Sequence, residues 1–157
     1  MNLRLEVAML KRILLAMLIV VAAAIGLTLL WKSNIWLFID LNSILLVPFL
    51  GSLFALCLHG FGEGLAAFSI PFDGEASEGE LRTADAFFKL LGQSYLWFAF
   101  LGGILSFIDA LRNLADKTML GPRLALCCVS LEYAALLTLL IVVPYRASIR
   151  RRLAAGS

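Results

Sequence analysis

The sequence predicts an all-α membrane protein with four transmembrane helices, of which the third and fourth are long. Two observations lead to this fold class. The 157-residue chain is 62% hydrophobic and has a mean hydropathy of +0.95, values that soluble domains of this size do not reach. Several of its apolar runs also approach or exceed the roughly 20 residues that a helix needs to cross a bilayer.

The first predicted helix covers residues 13–31, an apolar run that follows a basic start. A cleaved signal peptide shows the same order of features, but its apolar core is only about 7–15 residues long. The greater length of this run favours a transmembrane helix that is retained.

The second predicted helix covers residues 44–65, and a short polar connection at 66–77 follows it. Gly60, Gly62 and Gly64 predict a break or bend where the chain leaves the membrane. His59 and Glu63 are four residues apart, so a continuous helix would place them on one face. Such a pair is either an interfacial polar contact or part of a proton relay.

The third and fourth predicted helices cover residues 78–111 and 123–145 and form a hairpin. Ser77 and Glu80 have the spacing of a capping box, which predicts that a helix begins there. The chain after the hairpin carries four arginines, Arg146, Arg150, Arg151 and Arg152. Positive charge collects on the cytoplasmic side of membrane proteins, and the N-terminal segment is also basic. We therefore expect both termini in the cytoplasm, which requires an even number of spans.

Small residues line one face of each helix of the predicted hairpin. They are Ala99, Gly102, Gly103 and Ala110 on the third helix, and Cys127, Ala134 and Ala135 on the fourth. Such faces let helices approach closely, which is the main way that helices associate in lipid. Two interpretations are open: internal packing within one subunit, or a seam or pore wall that receives a partner helix.

Glu132 is the outstanding polar residue, because it falls near the middle of the fourth predicted helix. A charge at the bilayer centre costs roughly 2.5–3.5 kcal/mol, so such residues are candidates for a function. Three roles are open: handling a proton, a hydrogen bond to another helix, or a tolerated lipid-facing position. The other candidates for an ion pathway or a partner-facing surface are Ser106, Ser130, Tyr133 and Thr138.

The sequence gives no reason to expect an enzyme. It has no metal-ligand cluster, no nucleophile–base set and no phosphate-binding loop. We therefore expect no metal and no cofactor. The net charge of +2 does not indicate a nucleic-acid partner. Its three cysteines lie inside apolar runs and are interpreted as small core residues.

Two regions resemble a known family. The segment FIDLNSILLVPFLGSLFALCL, Phe38–Leu58, resembles the end of the first loop and the second helix of MotA-type flagellar stator proteins. The hairpin is similar in its glycine pair at 102–103, its Leu-Gly-Pro at 120–122 and its closing Pro144. The order and spacing of these motifs over residues 36–152 resemble the MotA/TolQ/ExbB proton-channel family, nearer to the MotA branch.

The resemblance implies a multi-pass protein of the bacterial inner membrane that forms a homopentamer. The five copies would surround a dimer of a single-span, MotB- or ExbD-like protein that carries the ion-binding aspartate. Ion flow, with H⁺ as the family default, would be coupled to rotation or mechanical work. The polar connection at 66–77 leaves no room for the large cytoplasmic domain of flagellar members. The alternative is a non-conducting scaffold that binds and positions a single-span partner.

Overall fold

The structure is a computed structural model and describes residues 3–30, 40–114 and 117–156. About 90% of these described residues are helical, and they contain no strand. Three helical stretches within them are long and apolar enough to cross a membrane, namely Leu41–His59, Glu78–Arg112 and Leu120–Ala155. The all-helical class is thereby confirmed, and three of the four predicted spans correspond to helices that are long and apolar enough to cross a membrane. Trp31, Phe38 and Ile39, on which parts of the sequence predictions rest, lie outside the described residues.

Helix α1 spans Leu3–Leu30. It includes residues 13–30 of the predicted helix 13–31 and begins ten residues before it. It packs along the end of the chain, residues 138–156, and on the short turn at Ile70–Phe72. Ile13 is buried in this contact, whereas Leu14 and Leu18 are more than half exposed. Helix α1 therefore presents a large apolar surface outside the protein core.

Helix α2 spans Leu41–His59, so it begins and ends earlier than the predicted 44–65. Asp40 fixes its start, because its carboxylate accepts a hydrogen bond from the backbone N–H of Ser43. Gly60 fixes its end with a φ of +98°, a conformation that side chains with a Cβ resist. The predicted glycine break is thus confirmed. A short helix α3, Phe61–Ala66, and a 3₁₀ turn, Ile70–Phe72, follow the break.

Helix α4 spans Glu78–Arg112, one residue more than predicted. The predicted capping box is confirmed: the backbone N–H of Ser77 donates to Glu80 at 2.7 Å, and that of Glu80 donates to the Ser77 hydroxyl at 3.3 Å. The two reciprocal bonds satisfy donors that a helix start otherwise leaves unpaired. The sequence pattern therefore located this helix well.

Helix α5 covers residues 117–156, and the predicted limits of 123–145 are wrong at both ends. It consists of Lys117–Leu137, a π-helical turn at Thr138–Val142, and Val143–Gly156. The sequence prediction let Pro144 end the helix, because proline lacks an N–H and its ring clashes with the carbonyl four residues before it. The wider π turn directly before Pro144 changes this local geometry, so the helix continues through the basic tail.

Helices α2, α4 and α5 pack against one another in pairs and form a three-helix unit. Helix α4 supplies much of its core, with Phe87, Phe88, Leu91 and Ala99 buried. We call the end that carries Arg146 and the rest of the basic tail the tail end. The end at the α4–α5 connection, residues 113–116, is the turn end.

The tail end is held by an ion pair and by backbone contacts. Arg146 donates to both carboxylate oxygens of Asp85, at 2.8 and 3.1 Å, and joins α5 to α4. Arg152 donates to the carbonyl oxygens of Ile70 and Pro71, at 3.0 and 3.4 Å. These bonds tie the polar connection, predicted as 66–77, to the end of α5.

Candidate functional site: a buried polar chain

Three side chains form a hydrogen-bonded chain between the helices towards the turn end. The Ser43 hydroxyl donates to Asp40 Oδ2 at 2.6 Å, and the hydroxyl oxygens of Ser43 and Ser130 are 3.1 Å apart. Ser43 and Ser130 are buried, with 3% and 2% of their surface exposed. Asp40 is half-buried. We call Asp40, Ser43 and Ser130 the polar chain; it leads from the start of α2 to the middle of α5.

Gly102 provides the space for the polar chain. A Cβ at this position would lie 3.0 Å from the Ser130 hydroxyl oxygen and 2.7 Å from a methyl carbon of Leu46. The second distance is shorter than real Cβ contacts, so a side chain here would require the Leu46 side chain to move and the Ser130 hydroxyl to give way. Gly102 therefore leaves the room that Ser130 occupies where it meets Ser43.

Tyr133 joins the same region from α5. Its phenol lies near the backbone of Asp40, and its side chain is partly buried. Ser130 and Tyr133 are three residues apart, so one side of α5 presents both hydroxyls towards the start of α2. The structure thus brings two of the predicted polar candidates together around Asp40.

Glu132 does not share this site. It is exposed, and it lies on the face of α5 that points away from α2 and α4, near the exposed Cys128 and Ala135. The stretch of α4 between the ion pairs at Asp85 and Asp109 rises by about 36 Å, close to the thickness of a bilayer core. Glu132 follows Ser130 by two residues and so lies near the middle of that stretch.

The remaining polar candidates are peripheral to the polar chain. Ser106 on α4 and Thr138 on α5 are both partly buried. Thr138 opens the π-helical turn Thr138–Val142, about two turns of helix from Ser130.

The predicted small residues lie mostly inside the three-helix unit. Ala99, Gly102, Ala110 and Ala134 are buried. A Cβ on Gly103 would come within 3.2 Å of the Cys127 carbonyl oxygen, so α4 and α5 are in close contact there. The Cys127 thiol donates to the Arg123 carbonyl at 3.5 Å. Ala135 differs, because it is exposed beside Glu132.

A second polar contact lies nearer the tail end. The hydroxyl oxygens of Ser52 and Tyr95 are 2.9 Å apart, and Tyr95 is buried. Val47 and Ala99, both with no exposed surface, lie along the helices between this contact and the polar chain. The described part of one copy therefore holds two separate polar clusters with an apolar layer between them.

The polar chain can hold a proton or bind a small cation. A carboxylate accepts hydrogen bonds, and a hydroxyl both donates and accepts them, so the three groups can exchange protons along their bonds. Oxygen atoms of this kind also suit hard cations. The described residues contain no group of three or more histidine, cysteine, aspartate or glutamate side chains that could hold a metal ion.

Sequence reasoning missed Asp40 and Ser43 as site residues and used them only as part of the family-like segment. The signal that could have found them is the spacing Asp-x-x-Ser, which places the Asp40 carboxylate over the first turn of a helix. That spacing predicts the helix cap. It does not predict the approach of Ser130, which is 87 residues away along the chain.

No protein-family model matches the chain, and no curated protein sequence matches it either.

Proposed function

We propose that the chain is the membrane subunit of an ion-driven complex in a bacterial inner membrane. Several copies, five by the sequence resemblance, surround a single-span partner and couple ion flow to rotation or other mechanical work. The observation that carries this proposal is the polar chain Asp40–Ser43–Ser130. Ionisable side chains in contact with membrane helices mark ion and proton pathways, and here Asp40 is bonded to two buried hydroxyls.

The position of the polar chain supports a role at one end of such a pathway. Asp40 is half-buried at the start of α2, so ions on that side can reach its carboxylate. Ser43 and Ser130 then extend the hydrogen bonds inwards among three apolar helices. We take the carboxylate as the first acceptor and the two hydroxyls as the relay.

The sequence resemblance supports the same function. Asp40 and Ser43 both belong to the segment that resembles MotA-type stator proteins, and Gly102 belongs to the similar hairpin. In this proposal Asp40 accepts the ion first, and the single-span partner supplies the aspartate to which the ion then passes. The proposed topology has four spans, with α1 as the first, and both termini in the cytoplasm.

A non-conducting scaffold is the second candidate. It is favoured by the apolar layer of Val47 and Ala99, because this layer interrupts hydrogen bonding between the polar chain and the Ser52–Tyr95 contact. Such a unit would hold a single-span partner without passing ions itself.

Ion flux separates the two candidates. The chain is co-expressed with candidate single-span proteins and purified with any that bind it. The complex is placed in lipid vesicles, a membrane potential is imposed, and internal acidification is followed with a pH-sensitive dye. We expect proton uptake above that of empty vesicles, and we expect Asp40→Asn and Ser130→Ala to reduce it at least threefold. Asparagine remains a good helix cap, so Asp40→Asn removes the negative charge while it keeps the start of α2.

Ser52→Ala is the matched control, because it removes a hydroxyl of the same helix outside the polar chain. Its proton uptake should stay within twofold of the unchanged chain. Uptake no faster than in empty vesicles, in both proton and sodium gradients and with a single-span partner present, would overturn ion conduction and support the scaffold.

A further inference from the structure

Two exposed surfaces of the three-helix unit carry polar groups at membrane depth. The first is the outward face of α5, where Glu132 is flanked by two small exposed residues, Cys128 and Ala135. Cys128, Glu132 and Ala135 are spaced by four and three residues, so they form a narrow ridge along one side of the helix. We call these three residues the ridge. A carboxyl group on this ridge has no hydrogen-bond partner in lipid, which makes the exposed position unfavourable.

The second surface is an open groove of about 430 Å³ between α2 and α4. Phe54 of α2 and Phe98 of α4 meet in it with ring centroids 5.8 Å apart. Gln93 and Trp97 of α4 line the groove, and Trp97 is 67% exposed. The indole N–H and the side-chain amide are hydrogen-bond donors that lipid cannot satisfy.

The carboxyl group and the indole lie at similar depths. Gly102 faces Ser130, and Gly92 faces Val142, so α4 and α5 run antiparallel in a known register. This register places Glu132 level with residue 100 or 101 of α4. Trp97 is three or four residues from that level, which is about 5 Å along the axis. A neighbouring copy in the same membrane, related by rotation about the membrane normal, keeps these depths.

The two surfaces also fit in shape. Helices α2, α4 and α5 contact one another in pairs, so α5 lies across the unit from the groove between α2 and α4. With a ridge on one side and an open groove on the other, one copy can pack its ridge against the groove of the next. A contact between unlike surfaces of identical subunits is heterologous, and its repetition closes into a ring when the rotation allows it.

We propose that α5 of one copy packs into the α2–α4 groove of the next copy, where Glu132 accepts a hydrogen bond from the indole N–H of Trp97. The inference rests on the multi-copy assembly of the proposed function and is independent of ion conduction. Glu132 then contacts a neighbouring subunit, and the ridge and groove are covered by protein.

Disulfide cross-linking tests the contact. Cys128 lies on the ridge, and Ile104 of α4 is exposed at nearly the same depth, above the groove. In a variant with Cys57→Ser and Cys127→Ser, we add Ile104→Cys and oxidise the protein in native membranes. We expect covalent dimers and higher multimers, because cysteines form disulfides when their Cα atoms lie about 4.4–6.8 Å apart.

Two controls define the result. Adding Cys128→Ser should remove the multimers. Leu45→Cys, in place of Ile104→Cys, puts a thiol at a similar depth on an exposed face of α2 and should form few of them. Equal cross-linking of Ile104→Cys and Leu45→Cys would overturn the contact. So would the absence of cross-linking at Ile104→Cys, if native mass spectrometry finds several copies of the protein. Either result would leave the proposed function standing. A chain that is monomeric in native mass spectrometry would overturn both.

The hydrogen bond is tested separately with Trp97→Phe, which keeps an aromatic ring and removes the N–H. We expect association between copies to weaken by about threefold to tenfold, as measured by dilution in detergent. Glu132→Gln keeps an acceptor and should associate like the unchanged chain, whereas Glu132→Leu should resemble Trp97→Phe. Unchanged association in both Trp97→Phe and Glu132→Leu would contradict the proposed bond.

Discussion

At the scale of single residues, the polar chain depends on the glycine at position 102. Ser130 reaches Ser43 because Gly102, directly across from it, has no side chain. The hydroxyls and the glycine lie on three different helices. A change at Gly102 therefore acts on the polar chain without removing any of its groups.

Gly102→Ala should lower the stability of the three-helix unit by about 1–3 kcal/mol, the usual cost of overpacking a filled core. The added methyl would meet a terminal methyl of Leu46 at 2.7 Å and the Ser130 hydroxyl at 3.0 Å, so both side chains would have to move. Thermal unfolding in mild detergent, followed by circular dichroism, measures the effect. Gly26→Ala is the control, because a Cβ there meets nothing within 4 Å. Equal unfolding temperatures for the two variants would contradict the close packing at Gly102.

Asp40 combines two roles at this scale. It caps α2 through the Ser43 N–H, and it ends the polar chain through the Ser43 hydroxyl. The first role is structural and the second is the basis of the proposed function. Asparagine separates them, since it can cap a helix but carries no charge.

At the scale of helices, the sequence predicted the limits of α4 better than those of α5. The start of α4 was predicted correctly because Ser77 and Glu80 form a capping motif, and its hydrogen bonds join residues within a single turn of helix. The end of α5 was not, because Pro144 usually stops a helix. The π turn at Thr138–Val142 removes that local conflict. Pro48 lies in a similar π turn, Leu45–Leu50, inside α2.

The tail end of α5 is joined to α4 by the Asp85–Arg146 ion pair. Both side chains are only 22% exposed, and the contact has two hydrogen bonds. Asp85→Asn should lower stability by about 1–2 kcal/mol, because it leaves the half-buried guanidinium without its charged partner. Thermal unfolding in detergent measures this change.

The control for Asp85→Asn is Glu78→Gln, which breaks the exposed ion pair with Arg82 on the same helix. Exposed pairs contribute little, so we expect a change below about 0.5 kcal/mol. If Glu78→Gln lowered the stability as much as Asp85→Asn, partial burial of the Asp85–Arg146 pair would not explain its contribution to stability.

At the scale of the whole molecule, composition was sufficient for the helical membrane class but not for the site. Hydropathy is a sum over many residues, so it predicts spanning helices even where the individual limits are wrong. The polar chain depends instead on one contact between Ser43 and Ser130, and local sequence does not encode such a contact. The outward position of Glu132 likewise follows only from the register of α4 and α5.

The exposed surface of the molecule is consistent with membrane and subunit contacts together. Large apolar side chains such as Leu18, Phe49, Trp97 and Leu131 are exposed along all four long helices. Lipid can cover such residues, but it offers no hydrogen bonds to Glu132 or Gln93. We therefore expect Glu132 and Gln93 to be covered by protein, as they are in an assembly of several copies.

The most direct test of the account is the number of copies in the assembly, measured by native mass spectrometry of the full chain purified in mild detergent. We predict a ring of five, with room for a two-copy single-span partner inside it. A monomer or dimer that persists when candidate single-span proteins are co-expressed would contradict the ring, and with it the proposed ion-driven subunit.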